Sequence, residues 1–452
     1  MELEPLILSR RIGQRPNLVK IVDNICWLFF DKALRMGVGL FVGVWIARYL
    51  GPEQFGLLSF ATAFIGLFGA IAALGLQGIV VRDIVRNPDS ARETLGTAAV
   101  LQLFRGLVAY LFILVAIAYL RPDDPLARTI VAILALMMLL KASDIAEFWF
   151  ESQVQSKYTV WVRNGVFLVF AAIQVGLILQ QAPLIAFVWA MLAEVVLVAL
   201  ILLIVMGWRG PALRRLRVSV ERGVTLLRDS WPLILSAIAV TVYMKIDQLM
   251  LGQMIGDEAV GIYSATVRIS EVWYFIPIAI VASVFPAILE AKKRSETQYY
   301  ARLQSLYDLM VIISVSVAVP MTFLATPMIG LLFGVPYIDA GPISGIHIWG
   351  GVFVSMGLAR GKWLLAENLQ YMGYWYVAFG MVTNVIGNYL LIPHFGITGA
   401  ASMTVISQAM AALLAPAFFK RTRFSSVMLA RSLNIANSIL RLRQTFNSNS
   451  GI

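Results

Sequence analysis

The sequence predicts an all-α polytopic membrane protein, with about twelve transmembrane helices in two six-helix bundles related as parallel repeats. Three observations carry that expectation. Apolar residues make up 60% of the 452-residue chain and charged residues only 13%, about half the charge of a typical soluble domain. The mean hydropathy is +0.80. The apolar residues fall in runs of about twenty, the number needed to cross a hydrocarbon core of about 30 Å as a helix. A closed barrel would need strictly alternating strands of about ten residues, and runs such as Val196-Leu-Val-Ala-Leu-Ile-Leu-Leu-Ile-Val205 do not alternate.

The expected spans lie near 24–49, 55–80, 95–120, 126–149, 158–180, 184–206, 231–254, 259–287, 304–325, 340–366, 373–392 and 399–419. The first apolar stretch runs to about Leu50, longer than a signal peptide, so it is expected to stay as a helix with its N-terminus in the cytoplasm. Alternate connections differ in charge. One set holds about 24 lysines and arginines, among them Arg10, Arg11, Arg15, Lys20, Arg82, Arg86, Arg214, Arg215, Lys292, Lys293 and the tail from Lys420. The other set is short and holds about two. The positive-inside rule makes the first set cytoplasmic. Much of the net charge of +11 is then a topology signal, and no basic soluble domain points to nucleic acid.

The longest and most basic connection, 207–230, separates an N-terminal bundle (1–206) from a C-terminal bundle (231–419), with a basic tail at 420–452. Gly51-Pro-Glu-Gln-Phe-Gly-Leu-Leu-Ser59 and Gly256-Asp-Glu-Ala-Val-Gly-Ile-Tyr-Ser264 share the pattern Gly-x-Glu-x-x-Gly-x-x-Ser, 205 residues apart, each in the outer turn after the first helix of its half. Six spans per half make the repeats parallel, an arrangement suited to alternating access. The tail reads either as an amphipathic helix on anionic lipid or as a disordered end.

Ionisable groups inside the spans are the candidate functional residues, because each costs about 3 kcal/mol at the bilayer centre on insertion scales. The cations are Lys32, Arg35, Arg48, Arg105, Lys141, Arg163, Lys245, Arg268, Arg360 and Lys362; the acids are Asp31, Asp144, Glu147, Glu194, Asp247 and Glu271. Asp31/Arg35, Lys141/Asp144 and Arg268/Glu271 have the three- or four-residue spacing of a shared helix face. Arg48 sits near the outer boundary, as an interface anchor would. A cationic path would draw an anion such as pyrophosphate, which the arginine fork fits; cross-helix ion pairs with Glu147, Glu194 and Asp247 are the structural alternative. The acids could bind a proton or sodium ion, Asp247 and Glu194 first, since neither has a cation three or four residues away.

Other signals are structural in character. Cys26 is the single cysteine, and His347 and His394 stand far apart, so neither a disulfide nor a metal site is expected. Gly39, Gly43 and Ala47 form a small-residue ridge for helix packing. Pro277, Pro286 and Pro320 are candidate kinks. Tyr371-Met-Gly-Tyr-Trp-Tyr376 reads as an interfacial belt.

Three stretches carry a family resemblance: Ala47-Arg-Tyr-Leu-Gly-Pro-Glu-Gln-Phe-Gly-Leu-Leu-Ser59; Ile246-Asp-Gln-Leu-Met-Leu-Gly252 running on to Val260-Gly-Ile-Tyr-Ser-Ala265; and Ile329-Gly-Leu-Leu-Phe-Gly-Val-Pro-Tyr337. With the chain's length and helix count, they resemble the polysaccharide flippases (O-antigen, Wzx-type) of the multidrug/oligosaccharidyl-lipid/polysaccharide exporter superfamily. That resemblance implies a non-enzymatic transporter of the bacterial plasma (inner) membrane. It would move an undecaprenyl-pyrophosphate-linked oligosaccharide outward by alternating access, with suspected cation coupling. Polysaccharide polymerase and chain-length proteins are further partners it suggests. Only motif positions carry over: Arg48, Gly51, Gly56, Asp247, Gly252 and Gly261, mostly in structural roles. A multidrug exporter of the same superfamily would favour an acidic cavity, against the cationic excess here. Lipid II flippases commonly have more helices. A membrane-bound glycan polymerase would usually show a large soluble loop or an acidic metal-binding cluster.

Overall fold

The computed structural model describes residues 16–73 and 75–449, and every regular element among them is helical. A spanning chain without water around it must satisfy its backbone internally, which the apolar runs do as helices. Arg10, Arg11, Arg15 and the side chains of Lys20 and Cys26 lie outside the described residues.

The helix Pro16–Ala73 is interrupted at Gly51 (φ 74°), giving α1 (16–50) and α2 (51–73). There follow α3 (Leu76–Arg86) and α4 (Ala91–Leu120), α5 (Pro125–Ser152), α6 (Ser156–Leu179) and α7 (Leu184–Arg209), and α8 (Val220–Met254). The remaining spans are α9 (Asp257–Arg294), α10 (Glu296–Leu332) and α11 (Ala340–Ala366). Gln370–Ala417 breaks at Gly396 (φ 57°) into α12 (370–395) and α13 (396–417). The tail forms α14 (Arg423–Ser432) and α15 (Ile435–Asn449). Nine stretches among the described residues are long and apolar enough to cross a membrane. Two of these, Phe30–Gly69 and Gln370–Ala417, each hold two helices joined at a glycine kink, and α8 adds another. The total is the expected dozen.

Two expected boundaries move. The second span does not run to residue 80. The chain turns at Gly75 in the left-handed region (φ 58°) and continues as α3, whose Leu76, Ile79, Val80 and Ile84 are buried while Arg82 and Arg86 face outward. That polar-apolar alternation is an amphipathic helix rather than a spanning one. The central connection is also shorter than 207–230, because the chain is already helical from Val220.

The described chain divides into two compact units: Met1–Tyr49 with Phe64–Ile238, and Leu50–Ala63 with Ala239–Ile452. In the first, the apolar face of α3 packs with Leu95 and Ala98 of α4, Ile145 and Phe148 of α5, Leu202 and Met206 of α7, and Leu226 of α8. An ion-pair cluster fixes the polar side of α3: Arg222 reaches Asp83 at 2.9 Å, and Arg82 reaches Asp229 at 2.7 Å. The fourth span is not one smooth helix. Lys141–Asp144 form a 3₁₀ turn within α5, a break of the kind that often marks a hinge.

In the second unit the two Gly-x-Glu motifs meet. A Cβ on Gly56 would lie 1.7 Å from the Asp257 carbonyl oxygen, and one on Gly261 would lie 2.0 Å from the Pro52 carbonyl oxygen. Positions 52 and 56 thus pack on 257 and 261 reciprocally, as the 205-residue repeat requires. Gly51 and Gly256 both hold positive φ (74° and 129°), which only glycine adopts without strain. The breaks correspond too: the fourth span of the second half, α11, is interrupted between His347 and Gly350. That position matches the Lys141–Asp144 turn at the same offset. A core of Tyr299, Tyr307, Met310, Trp363, Tyr376, Met428 and Leu429 extends to the tail. There Arg441 of α15 holds the fully buried Asp308 carboxylate at 2.7 Å. The tail therefore folds and docks.

Gly56→Ala and Gly261→Ala should each destabilise the protein by about 3 kcal/mol or prevent its accumulation, because backbone faces backbone with nothing flexible to yield. Gly66→Ala, with no atom within 4 Å of the new Cβ, should be neutral or slightly stabilising by comparison. Thermal unfolding in detergent checks the contrast, and equal behaviour of all three would refute the reciprocal packing.

Candidate functional site

The spans place most of the expected charges in two groups, one in each unit. In the first unit Asp31 and Arg35, one turn apart on α1, form an ion pair at 3.0 Å. Arg35 also feels Glu194 of α7 electrostatically and lies 5.2 Å from the Phe167 ring centre. Across helices, Arg163 of α6 grips Glu147 of α5 through two contacts, 2.7 and 3.1 Å. Lys141 and Asp144 pair at 3.5 Å within the 3₁₀ turn. Asp31, Glu147 and Arg163 line one polar cavity together with Gln77, Glu151, Ser156, Thr159 and Val160. The cross-helix pairing that competes with a substrate role is thus present for Arg163. It has a physical origin: two facing charges in a low-dielectric layer are far cheaper paired than single.

In the second unit Asp247 of α8 is 5% exposed and has only uncharged partners. Tyr263 Oη and Thr404 Oγ1 each donate to its Oδ2 at 2.7 Å, and Asn388 Nδ2 donates to Oδ1. Asn388 also donates to Asn384 Oδ1 at 3.1 Å. His347 Nδ1 and Ser270 Oγ share a hydrogen bond of 2.7 Å, with the imidazole edge-on to Tyr263. Lys245 and Glu271 influence each other electrostatically nearby. Among the described residues no group of three histidine, cysteine or acidic side chains could hold a metal ion. The Asp247 environment is instead a lone carboxylate with hydroxyl and amide oxygens, a set suited to a proton or a hard monovalent cation.

The other expected residues are dispersed. Lys32 and Arg48 are exposed, and Arg105 is half-buried on α4. The expected Arg268/Glu271 pair does not form: Glu271 ends a helical segment where a 3₁₀ turn begins, and Arg268 instead stands 5.8 Å from the Phe55 ring centre. Arg360 is buried and donates to the Ala411 and Ala412 carbonyls, while its guanidinium lies over Tyr376 at 4.7 Å. Those carbonyls belong to the π-helical turn Met410–Leu414 of α13, so the arginine supplies donors where regular helix bonding is broken. Lys362 rests over Phe285 at 5.5 Å.

Sequence reasoning missed Glu151, Gln77 and Thr159 in the first group, and Tyr263, Asn384, Asn388 and Thr404 in the second. Asn384 and Asn388, one turn apart inside an apolar run, were the available signal, since amides in spans usually find partners.

Solved structures share this fold. An inward-facing MATE multidrug resistance transporter of the MOP superfamily superposes with TM-score 0.70 at 17% identity, covering 90% of this chain and 99% of its own. The lipid II flippase MurJ in an inward closed conformation gives 0.69 at 13% identity, covering 91% of each. The class is therefore a multi-pass membrane protein of transporter fold. Within it, the model described as "Polysaccharide biosynthesis protein" matches residues 21–292, and the chain belongs to that family. Relatives include the "Probable low-salt glycan biosynthesis flippase Agl15" of Haloferax volcanii, 23% identical over 84% of this chain and 79% of its own length. Another is the "Succinoglycan biosynthesis transport protein ExoT" of Rhizobium meliloti, 23% identical over 73% of this chain and 66% of its own. These are transport proteins rather than enzymes.

Arg163→Met should leave Glu147 uncompensated inside the bundle and cost about 2 kcal/mol, below the cost for a fully buried pair because both groups keep some exposure. Adding Glu147→Gln should recover most of the loss. A double-mutant cycle on thermal or denaturant unfolding checks this, and additive losses would count against the pairing.

Proposed function

We propose that the chain is a flippase for a lipid-linked glycan, carrying an undecaprenyl-pyrophosphate-linked oligosaccharide from the inner to the outer leaflet of a bacterial plasma membrane. The observation that carries this is membership of the polysaccharide biosynthesis family on a transporter fold. One relative named as a glycan biosynthesis flippase and another named as a flippase support it. The basic connections and the tail lie on the cytoplasmic side in this reading, with both termini there. Lys32, Arg105, Lys245, Arg268 and Lys362 remain the cations proposed to meet the pyrophosphate during alternating access. Arg35, Lys141 and Arg163 serve first as ion-pair partners and Arg360 as a donor to its neighbouring carbonyls.

The coupling ion, a proton or sodium, is proposed to bind at Asp247. Its carboxylate, on α8, is buried without a cation within ion-pair distance among the described residues, and its hydrogen-bond partners come from α9, α12 and α13. An ion arriving there supplies the missing positive charge, and its departure leaves a costly buried anion. Occupancy could therefore bias the packing of four helices. Glu194, Asp31, Asp144, Glu147 and Glu271 are secondary candidates, and all but Glu194 and Glu271 already close ion pairs.

Proteoliposomes holding a fluorescent undecaprenyl-pyrophosphate oligosaccharide, with an imposed sodium or proton gradient, test both parts. Wild type should move the lipid and respond to one gradient. Asp247→Asn, which keeps the size and most hydrogen bonds, should cut gradient-driven movement at least about tenfold, the effect of about 1.4 kcal/mol. Wild type that moves no glycan lipid under a matching gradient would reject the flippase. A variant with unchanged gradient dependence would place coupling elsewhere.

A further inference from the structure

The tail beyond the last span carries charge and apolar surface that its docking does not use. From Lys420 to Ile452 the sequence holds six cations, Lys420, Arg421, Arg423, Arg431, Arg441 and Arg443, and no aspartate or glutamate. Arg441 is engaged by the buried Asp308, and Ser438, one turn away on α15, adds a hydrogen bond of 3.0 Å to the same carboxylate. Much of what α14 buries is polar as well: Ser425, Ser426 and Ser432 lie inward with Met428 and Leu429. What faces outward is in part apolar. Phe424 and Val427 of α14, Leu433 in the turn, and Ile439 and Leu440 of α15 are 41 to 55% exposed. A single exposed apolar side chain is ordinary. These five are interleaved with the exposed Arg423, Arg431 and Arg443, and Phe424, Val427 and Arg431 have the spacing of one helix face. The attachments fix where this surface lies. Only residues 418–422 separate the end of the last span at Ala417 from α14. Arg421 donates to Tyr371 Oη at 3.2 Å. Tyr371, Tyr374 and Trp375 are exposed together at the start of α12, an aromatic belt of the kind that sits at headgroup level.

We infer that the outward face of α14 and α15 binds the anionic lipids of the adjoining leaflet. Its apolar side chains sit among the first acyl carbons, and its arginines meet lipid phosphates. The planar fork of arginine suits a phosphate diester. Burial of the apolar side chains favours insertion, and each basic residue near an anionic surface adds to the attraction. With no acid in the tail, the cations other than Arg441 have no carboxylate partner within their own segment, which is the charge complement an anionic surface requires. A nucleic acid would match the charge but would leave Leu433, Ile439 and Leu440 in water. Lipid is favoured over an acidic protein because the face begins a few residues from a span and is tied to the aromatic belt. The docked pair of helices presents this face already folded, so little ordering remains when lipid binds. Such binding follows from the spanning fold and does not depend on the identity of the transported molecule.

The test uses the full chain, one copy per nanodisc, with Cys26→Ser and with Leu440→Cys carrying an environment-sensitive fluorophore. The discs are phosphatidylcholine alone, or phosphatidylcholine with phosphatidylglycerol as about a third of the lipid. Each is made with and without a spin-labelled lipid that quenches at the boundary of headgroup and acyl chain. In the mixed discs the fluorophore should shift to the blue and be quenched severalfold more than in phosphatidylcholine. Arg423→Gln, Arg431→Gln and Arg443→Gln together should abolish that difference, as should 1 M salt, which shortens the screening length to about 3 Å. The triple variant should melt as its parent does, because Asp308 keeps Arg441. Equal quenching in both discs would show apolar insertion without recognition of charge and overturn the assignment. No quenching in either disc would turn this face away from the bilayer, toward a protein or a second copy, and overturn it as well. A triple variant that still responds to phosphatidylglycerol, or that melts lower, would refute the role given to these arginines.

Discussion

The second unit depends on a crossing at which backbone touches backbone. Gly56 meets the carbonyl of Asp257, and Gly261 meets the carbonyl of Pro52. In a membrane, helices gain no hydrophobic free energy from leaving lipid for each other, so association relies on close approach and dispersion. Two glycines at equivalent points of a repeat give both helices that approach at once. Gly51 and Gly256 set the entry of each helix through positive φ, and Phe55 then stacks edge-on to Tyr337 with Arg268 above it. Segment 50–63, from the first half of the sequence, thereby belongs to the compact unit built by the second half. The repeated motif is thus a packing element.

Much of the architecture was legible because the bilayer imposes a coarse rule on the sequence. Twenty apolar residues must be a helix, and basic connections mark one side. The glycine motifs were visible for a related reason: Gly51 and Gly256 hold positive φ and Gly56 and Gly261 face backbone at close contact, so both halves carry glycine at the same spacing. What stayed hidden were the breaks. Nothing in Lys141-Ala-Ser-Asp144 forbids a regular helix, and the 3₁₀ turn there follows from tertiary packing. The end of α2 was misplaced because Leu76, Ile79, Val80 and Ile84 extend the apolar count, although their spacing belongs to an amphipathic helix.

The functional groups divide by the same logic. A charge inside a span announces itself because it is expensive, and Asp31, Glu147, Arg163 and Asp247 were all found that way. Neutral polar residues are cheaper and blend into apolar runs, so Thr159, Asn384, Asn388 and Thr404 drew no notice until α12, α13 and α8 brought three of them around Asp247. Glu151 and Gln77 lie at the edges of spans, where polar residues are ordinary. Only the approach of α3 to the end of α5 gives them a shared role.

The two groups also differ in how their acids are balanced, and that difference separates their chemistry. In the first unit Asp31, Asp144 and Glu147 each have a cation at 2.7 to 3.5 Å. Removing or adding one small ion there would change little, because the arginine or lysine already supplies the opposing charge. Such acids are fixed acceptors that tie neighbouring turns and helices together. Asp247 has hydroxyl and amide partners that orient it without neutralising it. A single proton or sodium ion would change its charge balance completely, and the partners from three other helices would feel the change. Sensitivity to an ion therefore belongs where the carboxylate is left uncompensated, and fixed packing where a lysine or arginine already holds it.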